Sequence, residues 1–210
     1  MTTPIIHNVD DDASFLTAIA RLLRASGYDV ALYESGDQLA KNPPGGEPGC
    51  ILLDVQMAGL DGLQLQDRLA AAELSLPIVF VTGQGSIPMS VRAIKAGAHD
   101  FLAKPVSKQT LLPAIENALA RYREHREHHN RLGALRSLLA TLTPRERQVF
   151  DLVVRGKLNK QIAYQLGAAE RTIKAHRQKI MEKLRTGSVA ELVSVAERLG
   201  LGGACDDRPA

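Results

Sequence analysis

In the first half of the chain, short apolar runs alternate with amphipathic stretches, and this alternation limits the fold more than any other feature. Five runs rich in Val, Ile and Leu have the length of strands, near residues 4–9, 28–33, 49–54, 77–82 and 100–104. Apolar residues at helical spacing follow the first run, among them Phe15, Leu16 and Ile19. Strands that alternate with helices predict an α/β domain with a five-stranded parallel sheet, doubly wound so that helices cover both faces.

Ionisable and hydroxyl side chains stand at the carboxyl ends of four of these runs. In chain order they are Asp10, Asp11 and Asp12, then Asp54, Thr82 and Lys104. Because ligands of open parallel sheets bind beyond the carboxyl ends of the strands, we expect these side chains to meet. Clustered carboxylates repel one another unless a cation neutralises them, and Mg²⁺ suits a site of few carboxylates, phosphate and water. A carboxylate nucleophile beside a metal ion, a hydroxyl and a lysine predicts a site that accepts a phosphoryl group.

The two halves of the chain carry opposite net charges. Residues 1–120 have 8 Lys and Arg against 13 Asp and Glu, whereas residues 121–210 have 18 against 10. The first half thus has a net charge of −5 and the second half a net charge of +8. The basic half favours an acidic partner, and nucleic acid is the natural candidate.

Helix start and stop signals are clear in the basic half. TPRE at 143–146 is a capping box with proline at the first helical position, and SVAE at 188–191 is a second capping box. Between them, Asn159 is the expected cap of a short helix, and another helix is expected over 170–185. Four helices with a tight turn between the second and third predict an all-α helix-turn-helix domain.

These signals divide the chain into segments. We expect a phosphoryl-accepting domain over 1–120, a charged helical linker over 121–140, the helix-turn-helix domain over 141–203 and a polar tail over 204–210. Pro113 would break a helix that began at Ser107. We therefore expect Thr110 to be the N-cap of the helix that leads into the linker, with Pro113 in its first turn.

The helix expected over 170–185 has two unlike faces. At about 100° per residue, Ile173, Ile180 and Leu184 lie on one side, which should pack inward. The opposite side is mostly polar and basic and consists of Arg171, Lys174, Ala175, Gln178 and Glu182. Such a helix suits the major groove of double-stranded DNA, although an ordinary surface helix shows the same pattern.

Four motifs in the first half belong together. They are VDDD at 9–12, LLDVQM at 52–57, VTGQG at 81–85 and AGAHDFLAKP at 96–105. In these motifs the chain resembles the CheY-like receiver domain of response regulators. The resemblance implies that a histidine kinase phosphorylates Asp54. The Mg²⁺ ligands that it implies are Asp10 (largely through water), Asp11 (directly), Asp54 and the backbone carbonyl of Gln56.

The same resemblance implies roles for three other side chains. Thr82 would contact the phosphoryl oxygens, Lys104 would pair with them, and Phe101 would be an aromatic switch whose rotation follows the movement of Thr82. The chain departs from the family at Ala58, where proline usually follows the methionine. The loop after Asp54 is therefore less restricted in φ.

Residues 142–184, LTPRERQVFDLVVRGKLNKQIAYQLGAAERTIKAHRQKIMEKL, closely resemble the LuxR-type helix-turn-helix. With the receiver motifs, they identify the chain as similar to the FixJ/NarL-type regulators. The side chains implied to face base edges are Lys174, Ala175 and Gln178. The others expected to touch DNA or to orient the helix are Lys160, Arg171, Thr172, His176, Arg177 and Lys179. Ala169 stands where the family commonly has a serine N-cap, and the loss of that side-chain acceptor costs about 1 kcal/mol of helix stability.

The helix that begins after Ser188 carries an apolar stripe. It is formed by Leu192, Val193, Ala196 and Leu199. We expect this stripe to pair two DNA-binding domains, so that a monomer becomes a homodimer on phosphorylation. The receiver resemblance implies a second contact, on the face of the fourth helix, fifth strand and fifth helix.

The sequence also bears on location. It has no run of about 18 apolar residues and no basic segment leading an apolar one, so we expect neither a membrane span nor export. The two cysteines, Cys50 and Cys205, form no spaced framework and fit a reducing compartment. Together these features predict a cytoplasmic protein.

Three functions fit these features. The first is a transcription regulator switched by phosphorylation, and the second is a DNA-binding protein whose receiver serves only as an interaction platform. The third is a phosphatase that uses Asp54 as its nucleophile. Gln56 disfavours the phosphatase, because such hydrolases commonly have a second aspartate at that spacing. The complete set of acidic, hydroxyl and lysine residues favours the phosphorylated regulator over the platform.

Overall fold

A computed structural model describes residues 3–45, 47–72, 74–83 and 85–201, so the predicted polar tail lies outside the described residues. The chain divides into two compact units, residues 1–126 and 127–210. None of the helices in the described part of the chain is both long and apolar enough to cross a membrane.

The first unit contains a parallel sheet. Its strands are β1 Ile5–Val9, β2 Asp29–Tyr33, β3 Gly49–Leu53, β4 Ile78–Thr82 and β5 Asp100–Ala103. The helices that follow them are α1 Ala13–Ala25, α2 Gly36–Lys41, α3 Gly62–Ala71, α4 Ile87–Lys95 and α5 Lys108–Ala140. The strand order is β2-β1-β3-β4-β5 and every pairing is parallel, which confirms the predicted sheet.

Both faces of the sheet are covered, as expected for a doubly wound fold. On one face the core includes Leu39 of α2, Leu65 of α3 and Ala93 of α4. On the other face, α1 and α5 supply the core, with Leu23 and Ile115 fully buried. All residues of β3 and β4 are buried, which explains why these strands read as continuous apolar runs.

The start of α5 differs from the prediction. The hydroxyl of Ser107, not that of Thr110, accepts the first free amide, with 3.2 Å between Ser107 Oγ and Thr110 N. Pro113 consequently lies inside the helix, where it leaves the carbonyl of Gln109 without its helical donor, a cost of about 3 kcal/mol. Burial of Leu111 and other residues of α5 against the sheet offsets that cost.

The second unit contains a compact group of helices. After the end of α5 they are α6 Pro144–Val154, α7 Asn159–Gln165, α8 Glu170–Leu184 and α9 Val189–Arg198. These four helices, with a tight turn between α7 and α8, are the ones that the sequence predicts for an all-α helix-turn-helix domain. The boundary between the two units lies within α5.

Two polar contacts fix the entrance to α6. The predicted capping box is present, with Thr143 and Glu146 bonding to each other's backbone amides. Lys183 of α8 also places its ammonium 2.6 Å from the Glu146 carboxylate. The Lys183 hydrogen bond and the Thr143 amide lower the pKa of Glu146 to about 2.

The start of α7 is a second correction. Leu158 occupies the N-cap position, and its amide donates to Gln161 Oε1 at 2.8 Å. Asn159 is already the first helical residue, and its side-chain oxygen accepts a hydrogen bond from the guanidinium of Arg177 on α8. Asn159 therefore ties the two helices of the turn together instead of capping one of them.

Candidate functional site

The carboxyl ends of β1 and β3 bring the predicted acidic residues together. These strands are neighbours in register, and the amide of Asp54 donates to the carbonyl of Val9 at 3.0 Å. Carboxylate oxygens of Asp10, Asp11 and Asp54 all lie within 4.8 Å of one another. Asp10 and Asp54 are buried and Asp11 is exposed, so the cluster opens to solvent on one side.

Lys104 joins this cluster from the end of β5. Its ammonium donates to Asp10 Oδ2 at 2.6 Å and to Asp54 Oδ2 at 2.9 Å. Burial raises the pKa of Asp10, and the hydrogen bond from Lys104 only partly opposes that shift. Burial lowers the pKa of Lys104, but the hydrogen bonds to the two carboxylates outweigh it, so its net pKa is raised. Lys104 therefore stays a cation and partly neutralises the buried acids.

The loop after Asp54 contributes backbone amides. Gln56 donates its amide to Asp54 Oδ1 at 3.3 Å, and Ala58 donates its amide to Asp11 Oδ2 at 3.2 Å. Proline has no backbone N–H, so the departure at Ala58 supplies a hydrogen bond that proline could not make. Gly62 lets α3 approach the site, because a Cβ there would lie 2.1 Å from the Asp54 carbonyl oxygen.

Asp12 has a different task from its two acidic neighbours. Its Oδ1 accepts the amides of Ser14 at 2.8 Å and Phe15 at 3.2 Å, so it is the N-cap of α1. An N-cap carboxylate is held by the first turn of its helix and is not free to turn toward Asp54. This contact separates Asp12 from the group formed by Asp10 and Asp11.

Phe15 touches the site in a way that the sequence did not reveal. The ammonium of Lys104 lies 4.1 Å from the centre of the Phe15 ring. The sequence placed Phe15 in the inward stripe of α1, and the ring does pack beside the α1–α5 core. The only available signal was an aromatic residue in the first turn after the acidic motif.

Thr82 and Phe101, to which the family resemblance assigns a switch, lie at the end of β4 and within β5. Thr82 ends β4 and is buried, and its carbonyl accepts the amide of Lys104 at 2.8 Å. The half-buried ring of Phe101 packs at a tilt against Phe80, with 5.9 Å between ring centres. Gly85 leaves space for this ring, because a Cβ there would lie 2.7 Å from Phe101 Cε1.

The two faces of α8 agree with the helical pattern. Ile173, Ile180 and Leu184 are buried. The exposed residues of α8 include Arg171, Thr172, Lys174, Ala175, Gln178 and Lys179, and Lys160 is exposed on α7. His176 and Arg177 are half-buried, so they face the boundary between the core and the exposed side. No side-chain acceptor caps α8 at Ala169, yet the helix begins at Glu170 as predicted.

The stripe on α9 needs a correction. Leu192 and Ala196 are fully buried in the core of their own unit, beside Phe150 and Ile162. They have no surface to offer to a second copy, because the same periodicity that marks an interface also marks an inward face. Val193 and Leu199 are half-buried.

Comparison with known families covers most of the chain. The family described as "Response regulator receiver domain" matches residues 6–116. The family described as "Bacterial regulatory proteins, luxR family" matches residues 140–196. The two matches therefore fall on the sheet unit with its acidic cluster and on the helices α6 to α9.

Individual proteins match along nearly the whole length. Nodulation protein W of Bradyrhizobium diazoefficiens is 42% identical over 200 residues, which cover 95% of this chain and 88% of that protein. Transcriptional regulatory protein FixJ of the same organism is 36% identical over 196 residues, covering 93% and 96%. A low-resolution structure of the response regulator StyR superposes with a TM-score of 0.85 at 43% identity, covering 94% of this chain and all of that one.

Proposed function

The chain belongs to the two-component response regulators that join a receiver to a LuxR-type DNA-binding domain, and we propose that Asp54 is its phosphoryl acceptor. It is a phosphorylation-regulated transcription factor, a regulator and not an enzyme with an external substrate. The observation that supports Asp54 most strongly is its position at the end of β3, where its carboxylate accepts a hydrogen bond from Lys104 and lies within 4.8 Å of carboxylate oxygens of Asp10 and Asp11. A histidine kinase is the proposed donor and the cytoplasm the proposed location.

The transfer itself needs few groups. A carboxylate oxygen of Asp54 forms a bond to phosphorus while the bond between phosphorus and the kinase histidine nitrogen breaks. The released imidazole takes a proton from solvent, and Asp54 becomes an acyl phosphate. Lys104 then pairs with the new phosphoryl oxygens and the Thr82 hydroxyl donates to them. Attack by water on phosphorus later restores the carboxylate, so the receiver promotes both its phosphorylation and its dephosphorylation.

The donor set fits Mg²⁺. Hard divalent cations prefer oxygen ligands, and this ion typically takes one or two carboxylates with water and phosphate. Asp10, Asp11 and Asp54 with the backbone carbonyl of Gln56 would hold it. When bound, Mg²⁺ would offset the negative charge that gathers when a phosphoryl group approaches the carboxylates.

Asp11→Ala should slow phosphorylation far more than Asp12→Ala. Asp11 belongs to the carboxylate group, whereas Asp12 is occupied as the cap of α1. The initial rate of phosphate-adduct formation from acetyl phosphate, measured by intact mass over a range of Mg²⁺ concentrations, compares the two. We expect the Asp11 variant to need much more Mg²⁺ and the Asp12 variant to lose mainly helix stability, by about 1 kcal/mol. If the two variants depended equally on Mg²⁺, the assignment of Asp10 and Asp11 as the acidic pair would be wrong by one residue.

The exposed side of α8 is the proposed reader of double-stranded DNA. Lys174 and Gln178 are exposed one helical turn apart, and Ala175 between them presents no bulk. Side chains that project from one helix face in this way can reach base edges in the major groove. Lys160 and the flanking basic and polar residues of α8 would neutralise phosphates. Arg177, through its bond to Asn159, would mainly hold α8 at its angle to α7.

Gln178→Ala should change which sequences are preferred, whereas Arg177→Ala should weaken binding to all sequences. Loss of a base contact costs about 1–3 kcal/mol on the best site, and loss of a positioning or phosphate contact carries no sequence information. Selection from a randomised DNA library separates the two outcomes. Arg198→Ala, an exposed charge on α9, is the matched control. A uniform loss of affinity for Gln178→Ala would show that the recognition face is wrongly assigned.

We further propose a homodimer as the DNA-binding form. A small helix-turn-helix buries limited surface, and two linked copies on adjacent half-sites gain affinity through effective concentration. Helix α4 supports a receiver contact, because Ile87, Val91 and Ile94 expose 82%, 46% and 46% of their surface. These residues follow helical spacing and form one apolar face on the side that the family resemblance implies.

A further inference from the structure

Among the described residues, the ammonium of Lys104 has two carboxylate partners and one aromatic neighbour. Asp10 and Asp54 accept its hydrogen bonds, and the Phe15 ring lies 4.1 Å away. This distance is well inside the range of about 6 Å for cation–π attraction. We propose that Phe15 is a positioning residue for phosphoryl transfer, whose ring holds the Lys104 ammonium beside the acceptor. The proposal rests on the function assigned to Asp54.

Both members of the contact are fixed by their own elements. Phe15 lies in the first turn of α1, where its amide is held by the Asp12 carboxylate, and its ring packs beside the α1–α5 core. Lys104 is held at the end of β5 by the bond from its amide to the Thr82 carbonyl. The long side chain of Lys104 must still span the space to the acids, and the ring limits where its ammonium can settle.

The surroundings strengthen the attraction. The side chain of Lys104 is 18% exposed, so little water competes for its ammonium. Cation–π attraction grows as the cation is desolvated, while an aliphatic side chain of similar size would offer packing without electrostatic attraction.

The ring differs from the other two partners in one respect. Phosphorylation converts the Asp54 carboxylate into an acyl phosphate, and Asp10 belongs to the proposed Mg²⁺ ligands, so both change their charge or their partners during the reaction. The ring is neutral and does not change. It can therefore keep the ammonium near the incoming phosphoryl oxygens before and after transfer, and this is the contribution that we assign to it.

A series of isosteric rings tests this role in the full chain. Mono-, di- and trifluorinated phenylalanine placed at position 15 keep the shape of the ring but weaken its attraction for a cation step by step. The rate of adduct formation with acetyl phosphate and Mg²⁺, followed by intact mass, should fall stepwise, by about 3- to 30-fold at trifluorophenylalanine. Phe15→Leu should fall by a similar factor, and Phe15→Tyr should stay within about 2-fold of the parent.

The same fluorinated series at Phe150, a buried ring of the second unit, is the matched control and should leave the rate unchanged. Mg²⁺ affinity, measured by calorimetry, should also stay constant along the series at position 15. A parent that is phosphorylated at Asp54 with a rate that is flat along this series would overturn the role of Phe15 and leave Asp54 in place. A parent that takes no phosphoryl group would overturn the proposed function, and this role with it.

Discussion

Asp54→Asn is expected to abolish the phosphate adduct. The side-chain amide keeps the size and shape of the carboxylate but lacks the nucleophilic oxygen pair, and an amide cannot form a stable acyl phosphate by simple attack. After incubation with acetyl phosphate and Mg²⁺, the intact mass of the parent should rise by one phosphoryl group, and that of the variant should not.

No neighbouring acid is expected to replace Asp54. Asp10 and Asp11 are assigned to Mg²⁺, and Asp10 is less exposed than Asp54, at 1% against 7%. Asp12→Asn is the matched control, because it removes a charge from the same motif while the cap to α1 is kept. Adducts of equal yield on the parent and on Asp54→Asn would show that the acceptor is another residue.

Phosphorylation is expected to convert the chain from a monomer into a dimer and to raise its affinity for an inverted repeat by about 100-fold or more. The new phosphoryl group would draw Thr82 and Lys104 toward it. The space that Thr82 leaves would let Phe101 turn inward and so reshape the face formed by α4 and β5. A Cβ at position 85 would lie 2.7 Å from Phe101 Cε1, so glycine there leaves space for the ring in its present position.

Sedimentation with a beryllofluoride phosphate mimic measures the change in mass directly. Val91→Glu places a charge in the apolar face of α4 and should keep the phosphorylated chain monomeric without slowing phosphorylation, because Val91 lies outside the acidic site. If the phosphorylated variant formed a dimer with the same dissociation constant as the parent, the interface would lie elsewhere. The half-buried Val193 and Leu199 of α9 would then be the next residues to test.

Much of the sheet unit could be predicted from the sequence, for a physical reason. Strands of a parallel sheet are buried on both faces, so β3 and β4 form unbroken apolar runs, and their observed bounds lie within one residue of those predicted. The site could be predicted with them, because strand ends carry its residues. Asp10, Asp54 and Lys104 meet as expected, with direct hydrogen bonds from the lysine.

The errors arose where a local signal has two meanings. A serine and a threonine three residues apart can each cap a helix, and burial of α5 against the sheet compensates for Pro113 inside it. The apolar stripe on α9 packs into the core of its own unit and not against a partner. The periodicity of the sequence is the same in both cases, so only the packing of the helices distinguishes them. Phe15 was missed because helical periodicity marks an inward side chain without naming its neighbour, here a lysine that lies far along the chain.

We expect phosphorylation of Asp54 to control DNA binding by the second unit. The most direct test is a titration of the inverted repeat selected from a randomised library, with the parent and Asp54→Asn, each with and without acetyl phosphate and Mg²⁺. We expect the phosphoryl donor to tighten binding by the parent about 100-fold and to leave the variant unchanged. The mass of the parent must first show that it carries the phosphoryl group. If its affinity for the repeat is then equal with and without the donor, phosphorylation does not control DNA binding. That result would favour a receiver that serves only as an interaction platform.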